Sequence, residues 1–132
     1  DILVMGGSTG SVATEAAALD AVNRVIAVEA GHLSAPFAAN LASQTVAVAS
    51  GSSHVMGPST SFGRDLMHRF ASLIGVNQVS DIMEVIDATT YKRHIYAGNA
   101  IFDVDASAGD IVVATVRTAS WKAAGHSGGA EI

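Results

Sequence analysis

The sequence predicts an α/β domain with a mainly parallel sheet flanked by helices and with antiparallel strands in its second half. Three observations predict it. Short apolar runs alternate with helix-forming stretches up to Gly75, and beyond that glycine the pattern turns into successive strands separated by turn residues. The 132 residues are 49% hydrophobic and only 14% charged, which suits one packed domain rather than a disordered chain.

Taken in order, residues 2–5 are an apolar run closed by Gly6 and Gly7, and residues 11–21 are alanine-rich and of high helix propensity. Residues 25–28 are β-branched and end before Gly31. Pro36 suits a first helical turn, and the apolar stretch after it reaches about Val48. Residues 54–57 form a third short strand closed by Pro58. In the helix predicted over 62–74, Phe62, Leu66, Phe70 and Leu73 share one face, and Gly75 stops it. Strands are then predicted at residues 83–86, 91–96, 100–105 and 110–116, with turns at 87–89 and 107–109. Asp103 and Asp105 alternate with Phe102 and Val104, so one face there is expected to be wet. Residues 119–132 hold Gly125, Gly128 and Gly129 beside Ser127 and read as the start of a flexible linker.

The formal charge of −5 offers no general attraction to nucleic acid. With no cysteine there is no disulfide, thiolate metal site or thiol nucleophile, so a redox role needs a borrowed cofactor. The apolar runs fall short of the roughly 20 residues of a membrane span, so no direct membrane insertion is expected, and no signal-peptide pattern is seen.

Four groups of residues could carry chemistry. Residues 6–10, GGSTG, form a glycine-rich turn between strand and helix. Its N–H groups could hold a phosphate, although it lacks the Rossmann spacing and the P-loop lysine, and a purely structural turn explains it as well. Residues 125–129, GHSGG, match the G-x-S-x-G pattern of hydrolases, but no histidine follows and the strand-to-helix context is missing, so a serine hydrolase is not expected. His32, His54, His68, His94 and His126 are dispersed. Asp65 and His68 share a helix face without a third ligand, so no metal is expected. Residues 59–65, STSFGRD, follow a parallel strand, at the sheet edge where open α/β folds bind ligands. Thr60, Ser61, Phe62, Gly63 and Arg64 are candidates to hold an anion there, although a helix start capped by Ser59, Thr60 or Ser61 explains the hydroxyls on its own.

The run SHVMGPSTSFGRDLMHRFASLIGV resembles the signature segment of electron transfer flavoprotein α subunits. NQVSDIMEVIDATTYKRHIYAGNAIFDVDA is similar to the segment that follows it in that family, and DIVVATVRTASW to the closing strand, with IYAGNA at residues 95–100 the most specific element. The resemblance is strong over 54–121 and weaker before. Family members carry proline where this chain has His68 and His94, and normally open with a further strand and helix.

The resemblance implies an adenine nucleotide α-hydrolase-like fold. Residues 1–118 would be the N-terminal domain without its first strand and helix, and 119–132 would start an interdomain linker. It implies a heterodimer with an electron transfer flavoprotein β subunit, carrying electrons from acyl-CoA dehydrogenases to a quinone-linked oxidoreductase, in the cytoplasm of bacteria or the mitochondrial matrix of eukaryotes. FAD would be held mainly by a C-terminal domain of α, and AMP by the β subunit. This domain would be a scaffold with no catalytic residue and no cofactor of its own, and Tyr96, Asn99 and Arg117 are candidates for the partner interface. The competing reading is a free-standing adenine-nucleotide-binding module of the universal-stress type, using residues 6–10 and 59–64 as phosphate loops.

Overall fold

In the computed structural model, which describes residues 1–106 and 111–132, the elements run β1 (Ile2–Gly6), α1 (Gly10–Ala17), β2 (Val25–Glu29), α2 (Ala38–Val48), β3 (His54–Pro58), α3 (Ser61–Ile74), β4 (Gln78–Val85), β5 (Thr90–Ile95), β6 (Ala100–Asp105) and β7 (Val112–Val116). Short 3-10 turns lie at Gly31–Ser34, Tyr96–Gly98 and Thr118–Ser120. The class is the expected α/β one. The strands form a two-stranded and a five-stranded sheet, and the chain divides into two compact units, Asp1–Leu41 with Lys122–Ile132, and Ala42–Trp121. The predicted turn at 107–109 and the first residue of the predicted last strand lie outside the described residues. Among the described residues no helix is long and apolar enough to cross a membrane.

In the first unit β1 and β2 pair in parallel, from Ile2 opposite Val25 to Gly6 opposite Glu29. α1 lays Ala13, Ala16 and Ala17 against Val25, Ile2 and Val4, its small side chains letting the helix approach the strands closely. The helix stops at Ala17, short of the predicted residue 21. Ala21 takes a left-handed φ of +61°, and the Ala17 and Ala18 carbonyls accept from the N–H groups of Ala130 (3.0 Å) and Gly128 (2.9 Å) instead of from a further helical turn. The stretch read as the start of a linker therefore lies on this unit from Gly125 onward.

In the second unit the strand order is β3-β7-β4-β5-β6. β3, β7 and β4 run parallel, and β5 and β6 are added antiparallel. β7 lies inside the sheet, between β3 and β4, and is buried on both faces, as its unbroken run of Val112, Val113, Ala114 and Thr115 requires. Val113 packs with Ala42, Ala49, Met67, Phe70 and Ala71 from α2, its following turn and α3. Val112 and Ala114 face the other way, onto Val79, Ile82 and Tyr91.

The buried stripe of α3 is Gly63, Met67, Phe70 and Ala71. Phe62 and Leu73, expected on that face, are 48% and 53% exposed. The stripe turns because the helix meets β3 through glycine: Gly63 lies against the main chain of Pro58, which rotates the neighbouring Phe62 outward. Gly75, at φ +73°, ends α3 with Val76 and Gly75 N–H groups returning to the Ala71 and Ser72 carbonyls. β4 begins at Gln78, five positions before the predicted strand, because its register with β7 is broken between Val79 and Ile82, where Asp81 takes a φ of +61°. That bulge interrupts the alternation by which a strand is recognised. The predicted turn at 87–89 is closed by Asp87, whose carboxylate accepts from the N–H groups of Thr89 and Thr90, both at 2.8 Å. Those bonds hold it below the usual carboxylate range.

Candidate functional site

β3 and β7 run parallel and end side by side at Pro58 and Val116. The Ser59 N–H continues that ladder to the Val116 carbonyl at 2.8 Å, and the Arg117 N–H donates to the Ile82 carbonyl at 2.9 Å. The ends of β3 and β7 are thereby fixed to each other and to the middle of β4. The chain then turns into α3 with Thr60 as N-cap, its Oγ1 accepting from the Gly63 N–H at 3.0 Å. A cleft of about 340 Å³ opens at this edge, lined by Ser59, Thr60, Arg64, Asp81, Arg117 and Thr118. The candidate loop therefore lies at the carboxyl edge of the parallel strands, where it was predicted.

Arg64 Nη2 pairs with Asp81 Oδ1 at 3.3 Å, and the Asp81 N–H is held by Thr115 Oγ1 at 2.9 Å. Arg117, at the same cleft, makes no ion pair among the described residues. The Ser59 hydroxyl is buried and without a partner among the described residues, and its oxygen is closed to solvent on the cleft side too, so nothing entering the cleft reaches it. The arrangement offers an anion one free guanidinium and the unpaired N–H groups of the first turn of α3, against the opposing charge of Asp81. Phe62 and Gly63 contribute geometry only: Phe62 points outward and Gly63 packs on Pro58.

The second phosphate-loop candidate, at residues 6–10, carries an anion of its own. Thr9, 4% exposed, donates its N–H to Glu29 Oε2 at 2.8 Å and its hydroxyl to the same oxygen at 3.2 Å. A carboxylate from the end of β2 thus sits at the start of α1, where a phosphate would have to bind. Gly7 is glycine for a steric reason, since a Cβ there would overlap the Ser34 side chain. The G-x-S-x-G match at 125–129 is also structural. The Ser127 hydroxyl donates to Asp20 Oδ1 at 2.6 Å.

The three interface candidates do not form one site. Ile82 on β4 is opposite both Val116 on β7 and Arg93 on β5. Arg117 follows Val116 in the direction of β4, whereas Tyr96 follows Arg93 on an antiparallel strand, so the two leave Ile82 in opposite directions. Tyr96 and Asn99 belong together in the β5–β6 turn. Tyr96, Ala97 and Gly98 take φ values of +50°, +54° and +92°, and the Asn99 side-chain amide donates to the Tyr96 carbonyl at 3.0 Å. Tyr96 is 76% exposed at the tip, beside exposed Ile101 and Phe102 on β6. Tyr96 and Ala97 carry the cost of a left-handed backbone, which Gly98 takes up freely.

Asp65 and His68 make no joint site: the His68 ring bonds back to the Arg64 carbonyl at 2.6 Å. Among the described residues no three His, Asp or Glu side chains converge on one point. Sequence reasoning missed Asp81, Glu29 and Asp20. Each acts through a partner 17 or more positions away, and a lone acidic residue carries no local pattern that would announce it.

A family model described as electron transfer flavoprotein domain matches residues 1–132. Electron transfer flavoprotein subunit alpha of Pseudomonas aeruginosa is 37% identical over 128 residues, spanning 97% of this chain and 41% of the relative. The subunit of the same name from Paracoccus denitrificans is 37% identical over 131 residues, spanning 99% and 42%. The mitochondrial subunit alpha of Dictyostelium discoideum is 36% identical over 135 residues, spanning 97% and 38%. The chain thus spans about 40% of the length of the curated relatives it matches.

Proposed function

The chain belongs to the electron transfer flavoprotein domain family, over its whole length, and from that premise we propose that it is the scaffold domain of the α subunit of a heterodimeric electron carrier. The observation that carries this reading is the whole-length match combined with the state of the two phosphate-type turns. The Thr9 amide is taken by Glu29, and Arg64 is taken by Asp81. In this reading the two turns do not hold the pyrophosphate of FAD, and no step of electron transfer runs through residues of this chain. In this reading FAD is carried by a further domain of the same subunit and AMP by the β subunit. Electrons come from acyl-CoA dehydrogenases and pass to a quinone-linked oxidoreductase, in the bacterial cytoplasm or the mitochondrial matrix according to source. The domain contributes by position, holding the partner subunit and presenting a surface over which the flavin-bearing domain moves. Among the described residues β3 pairs on one side only, with β7, and in this reading residues 119–132 would lead to the flavin domain.

The Tyr96 turn is the proposed contact with the β subunit, because an exposed aromatic on a strained and internally braced turn has the character of an interface anchor. Replacing Tyr96 with Asp in the full-length subunit is expected to weaken heterodimer formation by about 2 kcal/mol, measured by titrating one subunit into the other, with circular dichroism unchanged. An unchanged affinity would remove Tyr96 from the interface.

The nucleotide-module reading makes the opposite forecast for ligand binding. Titration of AMP into this chain is expected to give no binding heat up to about 1 mM, the level of −4 kcal/mol. Tight AMP binding that Arg64→Ala abolishes would favour that reading over the scaffold.

A further inference from the structure

Asp20, just beyond the end of α1, accepts two hydrogen bonds on one carboxylate oxygen, from the Ser127 N–H at 2.8 Å and the Ser127 hydroxyl at 2.6 Å. Backbone bonds flank this pair. The Asp20 N–H donates to the Gly125 carbonyl at 3.0 Å, and Gly128 and Ala130 donate to the Ala18 and Ala17 carbonyls. The Val25 N–H then donates to the Glu131 carbonyl at 2.8 Å. The carbonyls at the end of a helix have no intrahelical partners, so a segment more than 100 positions downstream caps α1. The spacing of small residues suits the task. A Cβ at Gly125 would overlap the Asp20 carboxylate, and one at Gly128 would overlap the Leu19 carbonyl.

The docking is also shallow. Residues 122–129 are exposed and only Ala130 is half-buried, so polar bonds at the solvent boundary hold the segment with little apolar burial. Segments of that kind open by themselves at a small fraction of the global unfolding free energy. The Ser127 hydroxyl, and then its amide, hold the Asp20 carboxyl below its ordinary range, as expected of a carboxylate that serves as the acceptor in the docked state.

We propose that residues 125–131 are a detachable clasp keyed to Asp20, and that its release lengthens the tether on which the following domain moves; the second half rests on the scaffold reading. Released and extended, the seven residues span at most about 23 Å, and the reach gained is that length less the distance they already cover when docked. Docked, they fix the point from which the chain departs, at the start of β2 beside Arg24 and Val25. Asp20 acts as a positioning residue, and Ser127, Gly125 and Gly128 as its counterpart.

The test is hydrogen exchange resolved by mass spectrometry on the full-length subunit in its heterodimer. The amides of 125–131 are expected to exchange as one group, slower than in a free peptide and faster than those of β7. Asp20→Ala is expected to speed that group about tenfold, Asp20→Asn less because it keeps an oxygen acceptor, and Gly128→Ala comparably without touching the carboxylate. Exchange of β7 should stay unchanged in all three. A segment that already exchanges at the free-peptide rate, or that Asp20→Ala leaves unaffected, overturns the clasp. Spin labels on α1 and on the following domain are expected to show a broader distance distribution in Asp20→Ala, and an unchanged distribution overturns the role of the clasp in the tether. A heterodimer that carries no flavin overturns the scaffold reading instead, while the exchange result still decides the clasp.

Discussion

Replacing Gly63 with alanine is expected to destabilise the protein by about 3 kcal/mol before helix propensity returns about 1 kcal/mol. An added Cβ would overlap the Pro58 carbonyl oxygen and stand 3.1 Å from the Pro58 carbonyl carbon and ring. Main chain cannot rotate out of the way as a side chain can. The first turn of α3 would have to lift off the end of β3, pulling Met67 and Phe70 from their packing against Val113. In urea denaturation the midpoint should fall by about 1 M for a slope near 2 kcal/mol per M. Gly10→Ala is the control, since nothing lies within 4 Å of a Cβ there, and a surface change of that kind stays within about 0.5 kcal/mol. Equal midpoints for the two variants would mean that the close approach of α3 to β3 is not what fixes glycine at position 63.

Phe70→Ala should cost more, about 4 kcal/mol. Phe70 is fully buried, in a cluster with Ala42, Ala49, Met67, Ala71 and Val113. Most of these neighbours are small, so they cannot extend into the vacated space, and the cavity would persist. Against a total stability of about 5–15 kcal/mol, such a loss is large enough to leave a measurable unfolded population. Phe70→Leu, which keeps most of the volume, is expected to cost about 1 kcal/mol. The reading is loss of protection at the amides of Val113 and Ala114 on β7. If those amides keep their protection in Phe70→Ala, the cluster around Phe70 does not anchor β7.

These two positions also show how far the sequence could be read. The alternation of strand and helix up to Gly75, the helix stop at that glycine and the strand at β7 were legible because each depends on neighbours in the chain. Phe70 was placed on the buried face by helical spacing, whereas Phe62 was misplaced by the same spacing. What turned the helix was the approach of Pro58 to Gly63, a tertiary contact that hydrophobicity alone does not encode. The early start of β4 was hidden by the bulge at Asp81, which removes the period-two signal where the strand crosses Thr115. The end of α1 was overestimated because alanine favours helix everywhere, and the groups that end it arrive from Gly128 and Ala130.

The candidate site divides in the same way. The position of residues 59–65 at the sheet edge followed from local order, and so did a cap among Ser59, Thr60 and Ser61, of which Thr60 is the one used. The pairing of Arg64 with Asp81 did not, nor did the separation of Arg117 from Tyr96, which is set by strand register across β7, β4 and β5.

The contact between Thr9 and Glu29 has a consequence for biogenesis. A turn of this type in a nucleotide-binding protein is completed by its ligand, so its order depends on cofactor supply. Here the negative charge is part of the polypeptide, delivered by the very next strand. The turn and the start of α1 have their anion as soon as residue 29 has been synthesised and β2 has paired, while the far end of α1 waits for Gly128 and Ala130. This part of the molecule can mature before any flavin, nucleotide or partner subunit arrives.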